Sequence, residues 1–179
     1  MALIEKTKSR NDIYKGRIVT VHVDEALLSN GKTALREVVD HPGGVCVGAL
    51  NEKDELIFVR QFRYPYQEIV LELPAGKLEK GEDPFDAMKR ELKEETGCEG
   101  SDFVSLGELY PSPGYCGEII RLWSCRIKSS GESCPDEDEF LEVEKIPFDE
   151  AVEKVMSGEI KDAKTQAIVL KMALQRNVR

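Results

Sequence analysis

Three carboxylates, Glu91, Glu94 and Glu95, are crowded into the stretch GKLEKGEDPFDAMKRELKEETGC that runs from Gly76 to Cys98. At spacings i, i+3 and i+4 they share one face if the stretch is helical. Local signals predict that helix. Asp83 is a good N-cap, Pro84 suits the first helical position and Asp86 adds negative charge to the first turn. The helix should run to about Thr96 and stop at Gly97, a C′ residue, with Phe85, Ala87, Met88 and Leu92 on its buried side. Its second half is the wrong place for anions, because the helix dipole disfavours them there. Glu91 and Glu95 also repel each other across one turn. Lys89, Arg90 and Lys93 offset part of this, and a solvated, charge-laced face is the plain reading of such a helix. A hard divalent cation is the better account, since it would relieve the repulsion. Magnesium usually takes a few carboxylates together with substrate phosphates, so the chemistry suggested is phosphate chemistry.

The elements around this stretch are mostly strands. Residues 1–12 read as a polar lead-in, followed by a strand over Tyr14–Val23 and a turn at Ser29-Asn30-Gly31. Further strands are expected at Thr33–Asp40, Gly44–Leu50, Glu55–Phe62 and Ile69–Leu73, the last leading into the helix-bearing stretch. After the helix come strands at about Phe103–Leu109, Ile119–Ile127 and Glu142–Ile146, then helices over Phe148–Ser157 and Asp162–Arg176. This order fits an α/β class.

At 179 residues the chain is most simply one domain, 1–179. Its formal net charge of −9, with no basic run, argues against general nucleic-acid binding. No apolar stretch is long enough to span a membrane, and the first ten residues are too polar for a signal peptide, so the cytoplasm is the expected compartment. The five cysteines lack metal-ligand spacing and read as free thiols. His22 and His41 read as structural or surface residues, and Trp123 as core rather than a stacking platform.

Gly76, Glu82, Arg90, Glu91, Leu92, Glu94, Glu95 and Gly97 fall in the pattern G-x5-E-x7-R-E-U-x-E-E-x-G-U, where U is a bulky apolar residue. The chain thereby resembles the Nudix hydrolases. Cys98 replaces the usual aliphatic residue at the final position and serves as a small hydrophobe. The resemblance implies an α/β/α sandwich with a mixed curved sheet and a strand-loop-helix metal site. Outside the motif the chain is similar to the ADP-ribose pyrophosphatase group. The matching segments are Arg36 to Gly43 (REVVDHPG), Gln61 to Pro65 (QFRYP), Glu72 to Gly76 (ELPAG), and Pro113, sixteen residues after Gly97.

That resemblance implies magnesium- or manganese-dependent hydrolysis of ADP-ribose to AMP and ribose 5-phosphate. Glu91 and Glu95 would be the principal metal ligands, with the Ala75 carbonyl as a third, Glu94 close by and Glu82 in support. Arg90 would orient the carboxylates. In the acidic run from Asp136 to Glu139, Glu137 matches the general-base position and Glu139 a loop carboxylate able to reach a metal. Arg36 and Arg63 suit diphosphate and ribose contacts, because arginine presents a fork of donors. Glu72 either pairs across the sheet or binds ribose hydroxyls, and Pro113 shapes a turn, which does not exclude its forming the pocket wall. The group forms homodimers, here expected through strands at about 13–40. Two other readings remain open. One is a broader nucleoside diphosphate sugar hydrolase acting on ADP-glucose or GDP-mannose. The other is a non-catalytic ADP-ribose sensor, which the intact glutamates disfavour.

Overall fold

The computed structural model describes residues 3–135 and 139–177, which fall into two units. One comprises residues 3–43 and 110–119, the other 44–109 and 120–177.

The first unit is an antiparallel sheet of β1 (Lys6–Lys15), β2 (Thr20–Leu27) and β3 (Thr33–Asp40), in that order. β1 lies in the stretch expected to be mostly a polar lead-in. All ten of its side chains are exposed, so it carries no apolar alternation to read, and its order comes from backbone pairing with β2. The single strand expected over Tyr14–Val23 instead spans the end of β1, a turn at residues 16–19 closed by the Gly16 N–H donating to the Val19 carbonyl at 2.9 Å, and the first half of β2. The loop that carries Pro113 is fastened to β3: the Val39 N–H donates to Tyr115 O at 2.8 Å, and the Gly117 N–H to Val39 O at 2.9 Å.

His22 is structural, as its sequence context suggests, and it is tied to two carboxylates. It is buried on β2, with Nδ1 2.7 Å from Asp24 Oδ1 and Nε2 3.4 Å from Asp40 Oδ1. Arg10, on β1, donates to Asp40 at 2.7 Å and to Asp12 at 2.6 Å. The hydrogen bond to Asp24 holds His22 above the ordinary histidine value near 6.5, Asp40 adds to this, and burial and Arg10 subtract. A raised value means that the folded state binds the proton more tightly than the unfolded chain. The stabilisation is therefore complete below about pH 6.5 and is lost as pH rises through the raised folded value. Thermal melts from about pH 6 to about pH 9 should show a declining midpoint that flattens in His22→Asn. A wild-type slope retained in that variant would contradict the assignment.

The second unit contains a seven-stranded mixed sheet. Its path is β10 (Leu141–Pro147), β5 (Glu55–Arg63), β4 (Gly44–Leu50), β9 (Ile120–Ser130) and β8 (Cys98–Leu109); β6 (Glu68–Glu72) pairs with β5, and β7 (Ala75–Lys77) with β4. Only β4 and β9 are parallel. β4 is buried throughout, as a strand covered on both faces must be. Val45, Val47 and Ala49 point to one core with Ala87, Met88 and Leu92 of helix α1 (Pro84–Thr96). Cys46 and Leu50 point to the other, with Phe148, Ala151 and Val155 of α2 (Phe148–Met156) and Ile168, Val169 and Met172 of α3 (Ala163–Asn177). Helices thus cover both faces, an α/β/α arrangement. Trp123 packs half-buried against the α1-side core, and Cys46, Cys98 and Cys125 are buried free thiols. No helix among the described residues is long and apolar enough to cross a membrane.

Two departures in the sheet bear on the site. β4 and β5 pair only at Leu50–Leu56, after which β6 takes β5 and the short β7 takes β4. Three residues are too few for periodicity to reveal, so β7 has no signature in the sequence. β8 starts at Cys98, five residues before the expected strand, because bulges near Glu99, Ser101 and Ser105 break its alternation.

Candidate active site

Helix α1 has the caps its sequence implies. Asp83 accepts the Phe85 and Asp86 amides, Pro84 opens the helix, and Gly97 closes it in the left-handed region at φ 69. Its buried face then delivers Glu91 and Glu95 to β7. Glu95 is 3% exposed and accepts the Ala75 N–H at 3.1 Å. Glu91 lies directly over Gly76, where any Cβ would overlap its carboxyl group. A side chain there would displace that carboxyl group, so glycine permits the close approach.

Arg90 ties the neighbouring acids together. Its Nε and Nη2 donate to Glu82 at 2.8 and 3.1 Å, and its Nη1 reaches Glu94 at 2.8 Å and Glu91 at 2.9 Å. Glu82 also accepts the Glu79 N–H at 3.0 Å. Glu139 lines the same small cleft as Gly76, Glu91, Glu94 and Lys77. Glu137 lies outside the described residues.

The electrostatics of this cluster follow from burial. Desolvation pushes the Glu95 carboxyl up to about 8, with Glu91 and Glu139 adding to the rise. Glu91 is raised for the same first reason, only partly relieved by Arg90. Glu91 has a guanidinium that it shares with Glu82 and Glu94, and Glu95 has a single amide, so the buried pair is short of positive charge, the setting a hard divalent cation suits. Among the described residues no three acidic, histidine or cysteine side chains form a ready cage. An ion that keeps water and takes phosphate oxygens fits such a site better than one needing an all-protein shell.

A second charged group lies where β5, β6 and α3 meet. Arg63 forks onto Glu72 through Nε at 2.5 Å and Nη2 at 2.7 Å, and Lys164 pairs with the same carboxylate. Glu72 is 2% exposed with both oxygens engaged, so pairing, rather than an open carboxylate, describes it here. Lys164, which sequence reasoning missed, also donates to Asp162 at 2.8 Å. Burial disfavours its charge, but Asp162 and Glu72 outweigh burial and hold it above the ordinary lysine range. Thr165, beside it, accepts the Leu73 N–H at 2.9 Å and so pins the chain just before Ala75. Arg36 and Pro113 belong to the first unit, where Arg36 forks onto Glu5 at 2.7 and 2.8 Å.

A mixed sheet between helices, with a glycine-seated carboxylate pair on a capped helix, defines the Nudix class. The NUDIX domain profile matches residues 40–167, and the chain belongs to that family. The profile of the nucleoside diphosphate sugar hydrolase N-terminal domain matches residues 5–39. Among curated relatives, the ADP-ribose pyrophosphatase of Bacillus subtilis (strain 168) is 41% identical over 180 residues, 97% of each chain. The methanol dehydrogenase activator of Bacillus methanolicus is 41% identical over 173 residues, 96% of this chain and 94% of the relative. A solved structure described as an ADP compounds hydrolase superposes with a TM-score of 0.81 at 20% identity, covering 97% of this chain and 95% of that one.

Proposed function

We propose that this Nudix hydrolase cleaves the pyrophosphate bond of ADP-ribose, giving AMP and ribose 5-phosphate, with Mg2+ as its cation. The observation that carries the reading is the buried Glu91–Glu95 pair seated on Gly76 and Ala75, a carboxylate site short of positive charge. Similarity to an ADP-ribose pyrophosphatase over nearly the whole chain supports the substrate.

Glu91, Glu95 and the Ala75 carbonyl would hold the cation, with Glu82 and Glu94 in support. When bound, a divalent cation neutralises charge on the diphosphate and eases deprotonation of the attacking water. Arg90 keeps the acids in register. Glu137 takes the proton from the water, and Glu139 adds a further carboxylate to the cleft. Arg63, held rigid by Glu72, offers its remaining donors to a phosphate oxygen. For Arg36 and Pro113 the resemblance alone supports roles in substrate binding. The reading extends to a cytoplasmic homodimer formed through strands at about 13–40, where Ile13, Tyr14, Ile18 and Leu35 are exposed; the acidic surface argues against a nucleic-acid partner.

Chromatography of a reaction with ADP-ribose and Mg2+ should yield AMP and ribose 5-phosphate in equal amounts, and none once the cation is chelated. Products in the presence of chelator would contradict the mechanism. Arg63→Ala should raise KM about 10–100-fold, the scale of a lost charge-assisted hydrogen bond, and Glu72→Gln should move KM the same way by less. An unchanged KM in initial-rate measurements would remove Arg63 from substrate binding. A second reading, hydrolysis of nucleoside diphosphate sugars more broadly, is favoured by the match of residues 5–39 to that group's N-terminal domain. The Bacillus methanolicus relative is named for its effect on another enzyme and does not discriminate between the two.

A further inference from the structure

Two helices of the second unit end on a glycine in the left-handed region, and the two ends differ in one respect. Gly158, just past α2 at φ 80, donates to Val155 O at 3.1 Å, and a Cβ there would meet nothing within 4 Å. Gly97, just past α1 at φ 69, donates to Lys93 O at 2.8 Å, but a Cβ there would run into the backbone of Gly131 and Glu132. Left-handed geometry alone admits asparagine as well as glycine. The backbone contact at Gly97 is a second and stricter requirement, because a main chain cannot give way as the tip of a side chain can.

The segment packed against Gly97 follows the last ladder pair of β8 and β9, Cys98 with Ser130. The Gly131 N–H donates to Gly97 O at 2.8 Å, and the Cys134 N–H donates to Glu94 O at 2.8 Å. The last carbonyls of a helix have no partner within it. Here the 131–134 segment supplies partners to two carbonyls at the end of α1, one of them on Glu94 itself. The side chain of Glu94 lines the cleft beside Glu91.

We propose that Gly97 is a positioning residue for hydrolysis: its missing side chain lets residues 131–134 dock on the carboxyl end of α1 and so fixes the last turn of that helix, which carries Glu94 at the carboxylate cleft. The inference rests on the hydrolase reading above. Nothing at Gly97 touches substrate or cation. Its effect runs through the backbone that carries the acids.

The test compares Gly97→Asn with Gly158→Asn in the full chain with Mg2+. Both substitutions keep a residue that tolerates left-handed geometry, and only the first adds a collision. Gly97→Asn should lower kcat for ADP-ribose at least about tenfold, with KM within about threefold. In the same protein, amide hydrogen exchange at Gly131 and Cys134 should accelerate at least about tenfold while Met88 and Leu92 stay protected. Gly158→Asn should leave both readouts at wild type. The proposal is overturned by wild-type kcat in Gly97→Asn, by lost kcat with protection at Gly131 and Cys134 intact, or by fast exchange of those amides in the wild type. If Gly97→Asn does not fold, Cys134→Pro removes the N–H donated to Glu94, while also fixing φ at 134 and restricting residue 133, and leaves the helix cap alone. That variant should lower kcat and loosen Gly131, and wild-type values of both would be equally fatal. Exchange reads docking without turnover, so a wild-type protein that hydrolyses nothing sinks the hydrolase reading while the docking is judged separately.

Discussion

Glu95→Gln should lower kcat about 1,000-fold or more while raising the thermal stability of the metal-free protein. The first effect is the loss of a principal cation ligand, since charge neutralisation of a diphosphate is worth several kcal/mol. The second follows from burial. Glu95 is 3% exposed, its best neutral partner is a single amide, and Glu91 and Glu139 add repulsion. A glutamine keeps the shape and cannot ionise, so folding no longer works against a carboxyl group that is ionised in the unfolded chain and disfavoured as a charge when buried. Adding Mg2+ should raise the wild-type melting temperature and leave the variant's nearly unmoved. Activity and stability moving in opposite directions separates a functional carboxylate from a structural one. If both fell together, Glu95 would be a structural residue and the cation would have to be placed elsewhere.

The acidic run offers the next largest effect. Glu137→Gln should reduce kcat about 100-fold or more, the scale of a lost general base, with little change in the cation's affinity. Glu139→Gln should instead weaken the response to Mg2+, because Glu139 shares the cleft with Glu91 and Glu94. Titrating Mg2+ at saturating substrate in both variants distinguishes the two roles. A 100-fold loss in Glu139→Gln at unchanged Mg2+ dependence, with Glu137→Gln near wild type, would exchange the assignments.

What could be read from residues alone followed the range of each interaction. Helix α1 was legible from Asp83 to Gly97 because caps, proline placement and the apolar face all lie within one short stretch. The carboxylate cluster was legible for the same reason, as three acids within five residues. Strand β1 was not, since a fully exposed edge has no alternation and owes its order to a partner strand. The Glu72 pairing was only half legible: Arg63 lies nine residues away, but Lys164 arrives from 92 residues further along the chain. Lys164 carries no signature of burial, because a lysine in a first helical turn reads as solvated. The seat that Gly76 provides for Glu91 and the backbone contact at Gly97 are likewise tertiary facts. The motif marks both glycines without saying what each one makes room for.

The Nudix carboxylate site of this chain is proposed to act on the pyrophosphate of ADP-ribose. The most direct test is a set of kcat/KM values for ADP-ribose, ADP-glucose, GDP-mannose and ATP, measured with Mg2+ on one preparation. ADP-ribose should give the highest value, by about tenfold or more over each of the others. Comparable values across the three sugars would keep the chemistry and widen the substrate class. Tight binding of ADP-ribose with no turnover of any of the four would rule out hydrolysis and make the protein a sensor.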